Sequence, residues 1–512
     1  MKNALGIELP EFIDGYGEVV PFQGERKNPT LKPKTQVKES VVLPGDNKVL
    51  NSIDEALNKI ELKDGITISF HHHLRNGDYI LNMVMEKIVA RGIKDITIAA
   101  SSIFPVHEPL VKYIRDGIVT GIIASYISGP VAESISNGEL KKPAIMQTHG
   151  GRGRAIESGD IKIDVAFVAA PTVDTYGNIN GVSGNAACGA LGYAVADCQY
   201  ADTVIAITDN LVPYPACPIE IDQTYIDYIV NVECIGNPAG IVSGTTQITK
   251  DPIGLKIAKM ASKVMKVSGL VKDGMSFQTG AGGISLAVAK ELENIMITEG
   301  IKGSFASGGI TGYIVEMLEQ GLFQGLMDVQ CFDLKAVESY RKNLTHQGMS
   351  ASMYGNPHNK GAVVNNLDIV ILGATEIDTD FNVNVTTGSD GVIMGGSGGH
   401  SDTAAGAKLT VIVSNLIKAR LPVIKDRVTT ATTPGESIDV LVTERGIAIN
   451  PRRVDLLEKL KETNLPVMTI DELKELAENM TGKPRKIECE DKVVAVVEYR
   501  DGTVIDLVKK VK

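Results

Sequence analysis

Residues 367–402 read LDIVILGATEIDTDFNVNVTTGSDGVIMGGSGGHSD. Leu367 to Gly373 is a short apolar run, rich in β-branched residues and bounded by polar residues and glycine, and it predicts a buried strand. Glu376 stands just past its end. In open α/β sheets ligands collect where strands run out at their carboxyl ends, so a carboxylate there faces the place a substrate would take. Taken alone, Glu376 reads more simply as a solvated loop acid or a helix cap. Further on, Gly395-Gly396-Ser397-Gly398-Gly399-His400 is too rich in glycine for the interior of a strand or helix. Such a run lets backbone N–H groups approach a ligand or form an anion-binding concavity, although a flexible loop has the same composition.

The pattern around this stretch occurs twice. LKDGITISFHHHLRNGDYILNMVMEKIVARGIKDITIAASSI from Leu62 matches VKDGMSFQTGAGGISLAVAKELENIMITEGIKGSFASGGITG from Val271, each reading as strand, turn, amphipathic helix and strand. IDVAFVAAPTVDTYGNINGVSG from Ile163 then matches LDIVILGATEIDTDFNVNVTTG from Leu367, with Asp164 and Asp368 equally spaced from Gly184 and Gly388. Repeated strand–helix–strand units imply right-handed crossovers and a parallel sheet covered by helices. The expected fold is therefore α/β: two homologous domains with mainly parallel sheets, at residues 51–240 and 269–451. An N-terminal arm (1–50), extended over a neighbour or disordered, precedes them. A linker (241–268) joins them, and a small C-terminal α+β extension (452–512), expected to pack on the second domain, follows. In that extension Val454 to Leu460 and Ile470 to Met480 read as helices, and Val493 to Leu507 reads as a hairpin around Asp501-Gly502. A cleft between the two domains is the default ligand site. The copies differ there: the first has Thr172 where the second has Glu376, and His71-His72-His73-Leu74-Arg75-Asn76 where the second has Thr279-Gly280-Ala281-Gly282-Gly283.

Composition narrows the classes. The 512 residues are 43% hydrophobic and 22% charged, an ordinary globular mix. A formal charge of −11 disfavours a nucleic-acid binder, so small anions would need a local cluster of arginines or backbone donors. The 6 cysteines form no CxxC pair and no zinc spacing, which fits reduced thiols in a cytoplasmic protein. The N-terminus MKNALGIELPEF does not read as a signal peptide, and no apolar run approaches the length needed to cross a bilayer.

Three adjacent histidines invite a metal reading. On a strand, however, neighbours point to alternate faces and cannot all bind one ion, so no metal is expected. His71, His72 and Arg75 are instead candidates for contacting a carboxylate or thioester oxygen, with a structural turn as the alternative. Thr148-His149-Gly150-Gly151-Arg152-Gly153-Arg154 places two arginines that could grip a polycarboxylate, or lie in a mobile surface loop. No P-loop and no GxGxxG after a strand is present, which argues against an NTPase and a Rossmann dehydrogenase. What remains is a carboxylate among backbone donors, a set suited to thioester chemistry.

Ala374-Thr375-Glu376-Ile377-Asp378 with Gly396-Ser397-Gly398-Gly399 resembles the A-x-E-[VI]-D and G-x-G-G segments of the CoA-transferase superfamily. Asp273 to Gly283 is similar to its D-G-x-x-[LI]-Q-x-G-I-G loop. The FHHHLRNGD, THGGRGRA and MGGSGGHSDTAAGAK stretches, with the length, most closely resemble the citrate lyase α-subunit family. That resemblance implies acyl exchange: acetyl thioester plus citrate gives citryl thioester plus acetate. The thiol belongs to CoA or to a phosphoribosyl-dephospho-CoA group on a partner, with no cofactor bound covalently to this chain. Expected partners are an acyl carrier (gamma) subunit and a lyase (beta) subunit, with homo-oligomers inside a larger complex. Glu376 matches the catalytic glutamate of the superfamily. Gly280, Ala281, Gly282 and Gly283 with Gly396, Ser397, Gly398 and Gly399 would supply oxyanion donors. His400, where glutamine is often found, would join His71, His72, Arg75, Arg152 and Arg154 as citrate contacts. An acetyl-CoA hydrolase, a ping-pong transferase with a glutamyl-CoA intermediate, a citramalate-specific relative and a non-catalytic acyl-CoA or citrate sensor are the alternatives.

Overall fold

Seven strands of each half recur in the same spatial order, so the duplication in the sequence is a duplication of topology. In a computed structural model, which describes residues 1–2, 9–13, 17–19, 47–71, 73–242 and 247–512, the first half orders them 144–146, 119–124, 96–100, 67–70, 165–169, 203–208 and 228–231. The second half orders them 346–348, 323–331, 303–310, 276–279, 369–373, 409–413 and 440–442. All these pairings are parallel. The central strands, such as Val165–Ala169 and Leu409–Val413, are buried at every residue, as expected of strands covered by helices on both faces. The matched aspartates do the same job twice. Asp164 accepts the N–H of Thr67 (2.8 Å) and Asp368 that of Ser276 (2.9 Å), each pinning the start of its neighbouring strand.

Each half also carries a three-stranded layer beyond the main sheet, built from Thr172–Asp174, Ile179–Asn180 and Leu211–Val212 in the first and from Glu376–Asp378, Val383–Asn384 and Ile424–Lys425 in the second. Thr172 pairs with Asn180, and Glu376 with Asn384, in equivalent register. Glu376 thus lies on a short strand of its own rather than in a loop.

The segment expected as a linker contains the helix Pro252–Ser268, capped by the Asp251 side chain and ended by Gly269 at φ 82°. It packs on the helix Gly283–Glu299. The expectation that the whole C-terminal extension packs on the second half is corrected. The helices Val454–Lys461 and Ile470–Thr481 do so. The hairpin Cys489–Glu498/Val504–Val511 instead crosses to the first half and extends its sheet, pairing in parallel with Ala144–Met146. The apolar run Val493–Val497 supplies a strand for the open edge of the first sheet at Ala144–Met146. Most of the N-terminal arm lies outside the described residues, though Val49–Leu50 adds a short edge strand to the first sheet.

A buried acid ties three parts of the chain. Asp402 accepts from Thr148 Oγ1 (2.8 Å) and Gly150 N–H (2.9 Å) of the first half and lies 3.8 Å from Nε of Arg500 in the hairpin. Burial lifts its carboxyl to about 6, against the pull of Arg500, Gly150 and Thr148. A raised folded pKa stabilises the fold fully below the ordinary value of 3.8 and loses that contribution as pH rises through about 6. Over that window about 3 kcal/mol should disappear, and Asp402→Asn should abolish that slope in urea unfolding followed from pH 4 to 6.5.

Candidate functional site

Glu376 is fully buried, and five donors converge on it. Oε1 accepts from Ser389 Oγ (2.6 Å), Thr429 Oγ1 (3.0 Å) and Lys425 Nζ. Oε2 accepts from Thr429 N–H (2.7 Å) and Asn384 Nδ2 (3.1 Å). Burial acts to raise the pKa of this carboxyl, but the bonds from Lys425, Ser389 and Thr429 outweigh it and hold the group below its ordinary value. The result is a fixed anion. Sequence reasoning missed Lys425, Ser389 and Thr429, because one lysine or hydroxyl in an ordinary strand or turn carries no signal. Asn384 was recoverable, since it aligns with Asn180 in the repeat.

The glycine run belongs to the seam between the halves. Gly395 O accepts from Ile127 N (3.1 Å), Gly398 N donates to Ser125 O (3.1 Å), and Gly398 O accepts from His149 N (2.8 Å). A Cβ on Gly396 would lie 2.4 Å from Ser125 O, and one on Gly399 2.2 Å from Tyr354 Oη. Gly396 therefore lets two backbones touch across the seam and Gly399 makes room for the Tyr354 hydroxyl, which leaves fewer of the loop's N–H groups for a ligand than the sequence implied. Thr386 joins this loop to the glutamate: its carbonyl accepts from Gly395 N (3.2 Å), and its N–H donates to Asn384, the residue that bonds Glu376. Gly280 to Gly283 lie differently. They are partly exposed and lead into the 17-residue helix Gly283–Glu299, whose N-terminus favours negative charge. Gln278, just before them, donates to Tyr354 Oη (2.8 Å), beside Gly399.

The other candidates separate. Arg152 is buried in a two-pronged pair with Asp197 (2.7 Å each) and also bonds Ala99 O (3.0 Å). Arg154, also buried, is taken by Asp160 (2.6 Å). Both are occupied by the protein, so Arg152→Met should weaken folding by about 3–5 kcal/mol by leaving Asp197 unpaired. Urea unfolding measures this, and Arg152→Met with Asp197→Leu should recover part of it. A citrate contact would instead raise KM in a protein of unchanged stability.

Both ring nitrogens of His400 are engaged, Nδ1 by Thr433 Oγ1 (2.7 Å) and Nε2 by Gly373 O (2.9 Å), and burial holds the ring down to about 4, hence neutral. His71 Nε2 accepts from Ala169 N (3.0 Å) and its Nδ1 meets His73, an arrangement that braces the turn; burial holds it near 4 as well. His72 lies outside the described residues. Arg75 differs from the other two arginines. At φ 53° it turns its guanidinium between Phe104 of the first half (5.4 Å) and Phe332 of the second (4.8 Å), with no carboxylate on it among the described residues.

Among the described residues, Asp328, Cys331 and His346 form a buried group with ligand atoms within 4.8 Å of one another. Asp328 already accepts from Cys331 Sγ (3.0 Å) and His346 Nε2 (3.1 Å), which makes a hydrogen-bonded trio. No described helix is long and apolar enough to cross a membrane.

Twin parallel-sheet halves, one of which holds a buried glutamate at a strand end beside a glycine-rich seam, define a protein of the CoA-transferase class. A family model described as citrate lyase, alpha subunit (CitF) matches residues 46–511. The citrate lyase alpha chain of Haemophilus influenzae is 50% identical over 467 residues, covering 91% of this chain and 93% of that one. That of Klebsiella pneumoniae is 45% identical over 513 residues, covering 100% and 99%. A crystal structure described as the alpha subunit of citrate lyase in complex with citrate, from Streptococcus mutans, matches with a TM-score of 0.92 at 50% identity over 100% of both chains. A Pseudomonas malonate decarboxylase hetero-tetramer shares the fold alone, with a TM-score of 0.62 at 15% identity over 86% of this chain and 84% of that one. The chain belongs to the citrate lyase alpha-subunit family.

Proposed function

We propose that the chain acts as a citrate CoA-transferase, exchanging acetate for citrate on a thioester. A citrate carboxylate attacks the acetyl carbonyl, and the tetrahedral oxyanion collapses to a mixed anhydride with loss of the thiolate. The thiolate then attacks the citryl carbonyl and expels acetate, so no proton need enter or leave. The observation that carries this reading is the Glu376 carboxylate, ionised and held by five donors at a strand end. With both oxygens engaged it is a poor nucleophile, which favours a role in orienting the reactants and balancing charge over a covalent glutamyl-CoA route. The partly exposed 280–283 loop at a helix N-terminus suits the developing oxyanion, and Arg75 suits a citrate carboxylate at the seam. His400 has both ring nitrogens engaged, and Arg152 and Arg154 are buried against Asp197 and Asp160, which argues for structural roles.

The thiol carrier is CoA or a CoA-like group on an acyl carrier subunit, with a separate lyase subunit cleaving the citryl thioester, all in the cytoplasm. The test is acyl exchange from acetyl-CoA to citrate, run beside citramalate, acetate and water. Preferential citryl-CoA formation supports the reading; release of acetate to water alone would replace it with a hydrolase. Borohydride treatment of acyl-loaded enzyme should leave Glu376 unreduced, and a reduced Glu376 would establish the ping-pong route instead.

A further inference from the structure

The chain carries a formal charge of −11, yet one of its clefts is basic. It has a volume of about 720 Å³ and lies between residues 425–430, the segment 484–487 and the last strand, Val504–Val511. Local sequence builds its rim. The helix Ile470–Thr481 ends at Gly482, whose φ of 78° turns the chain, and Pro484 prevents the helix from resuming. Lys483, Arg485 and Lys486 are thereby laid out as an irregular strip before the hairpin begins at Cys489.

Arg427, Arg485 and Lys486 face this cleft, are exposed, and have no ion pair among the described residues. The acids nearby are committed: Asp426 pairs with Lys474 (2.7 Å), and Asp506 accepts the N–H groups of Ala431 (2.7 Å) and Leu507 (2.8 Å). An adjoining hollow of about 530 Å³ shares Arg485 and Lys486 and adds Arg420 and Lys483. Unpaired cations gathered in an acidic protein repel one another unless an anion joins them, and guanidinium forks match phosphate oxygens. The volume is that of a small-molecule site rather than a protein-docking face. Lys425 and Thr429 form the wall between this cleft and Glu376, lining the one and bonding the other.

We propose that this cleft binds the phosphate-bearing nucleotide end of the thioester carrier, with its thiol arm leading past Lys425 and Thr429 towards Glu376. The inference rests on the acyl-transfer reading for its direction. The shared chemistry is a nucleotide diphosphate, presented either by free CoA or by a CoA-like group attached to a carrier protein.

The test uses the full-length chain with Arg485→Glu and Lys486→Glu combined. Exchange to citrate is measured with acetyl-CoA, with S-acetylpantetheine, which lacks the nucleotide, and with an acetylated carrier protein. Binding of CoA to the enzyme without citrate is followed by calorimetry. The expected result is a loss of kcat/KM at least tenfold larger for acetyl-CoA than for S-acetylpantetheine, with CoA binding weakened to a similar degree. Loss with the carrier-borne thioester, the free one or both supports the site and names its source. Equal losses with acetyl-CoA and S-acetylpantetheine, or unchanged CoA binding with no loss from the carrier-borne thioester, would overturn it. If the wild type binds CoA yet exchanges nothing, the acyl-transfer reading fails while the calorimetry still decides the cleft. Should the double charge reversal disturb folding, Arg427→Gln supplies the same comparison from the opposite wall.

Discussion

Glu376→Gln should lower citrate exchange by about 10²–10³-fold, the range for removal of one fixed electrostatic element at a reacting centre, while CoA binding persists. Glutamine keeps the shape but not the charge, and it cannot accept all five hydrogen bonds that converge on the carboxylate. Stability is also affected, because Lys425 is left without its partner in a site where its side chain is only 11% exposed. The combination Glu376→Gln with Lys425→Met separates the two effects: it should restore much of the unfolding free energy and none of the exchange. Retention of full rate by Glu376→Gln would remove that residue from the chemistry. Since the folded carboxyl is held below its ordinary value of 4.5, its contribution to stability is present above that pH and is lost as pH falls below it.

Gly150→Ala should be the most destabilising single methyl in the molecule's seam, at about 4 kcal/mol or more. A Cβ there would lie 2.2 Å from both the carbonyl carbon and oxygen of Gly355, backbone atoms of the opposing half that have no rotamer with which to retreat. The helix His149–Glu157 packs on Ala351–Gly355 at this point, so the substitution forces the two halves apart where Thr148 and Gly150 grip Asp402. Gly361→Ala is the control, since its nearest contact is an ordinary 3.6 Å from the Asn359 side chain. Urea unfolding and exchange assays on both variants test the difference. Comparable midpoints would mean that the seam yields.

The repeat made the architecture legible. Asp164 and Asp368, equally spaced from Gly184 and Gly388, proved to hold equivalent strands, and Thr172 and Glu376 proved to occupy equivalent register positions. Local periodicity also placed the late helices within a residue or two of Val454–Lys461 and Ile470–Thr481. What escaped was everything decided by tertiary approach. The glycines at 396–399 read as ligand donors, yet Gly396 and Gly399 are small because Ser125 and Tyr354 come close to them. Arg152 and Arg154 read as free because Asp197 and Asp160 are not marked as their partners by any spacing rule. The destination of the final hairpin was equally hidden, since an apolar run at 493–497 names a strand without saying which sheet edge it joins.

That hairpin has a consequence for how the polypeptide matures on the ribosome. The Ala144–Met146 strand waits for Ala495–Val497, translated some 350 residues later, to cover its outer side. Until those residues emerge, the first half must keep a raw β-edge bare, a known invitation to mispairing between nascent chains. Loss of residues 489–512 would leave that edge open for good.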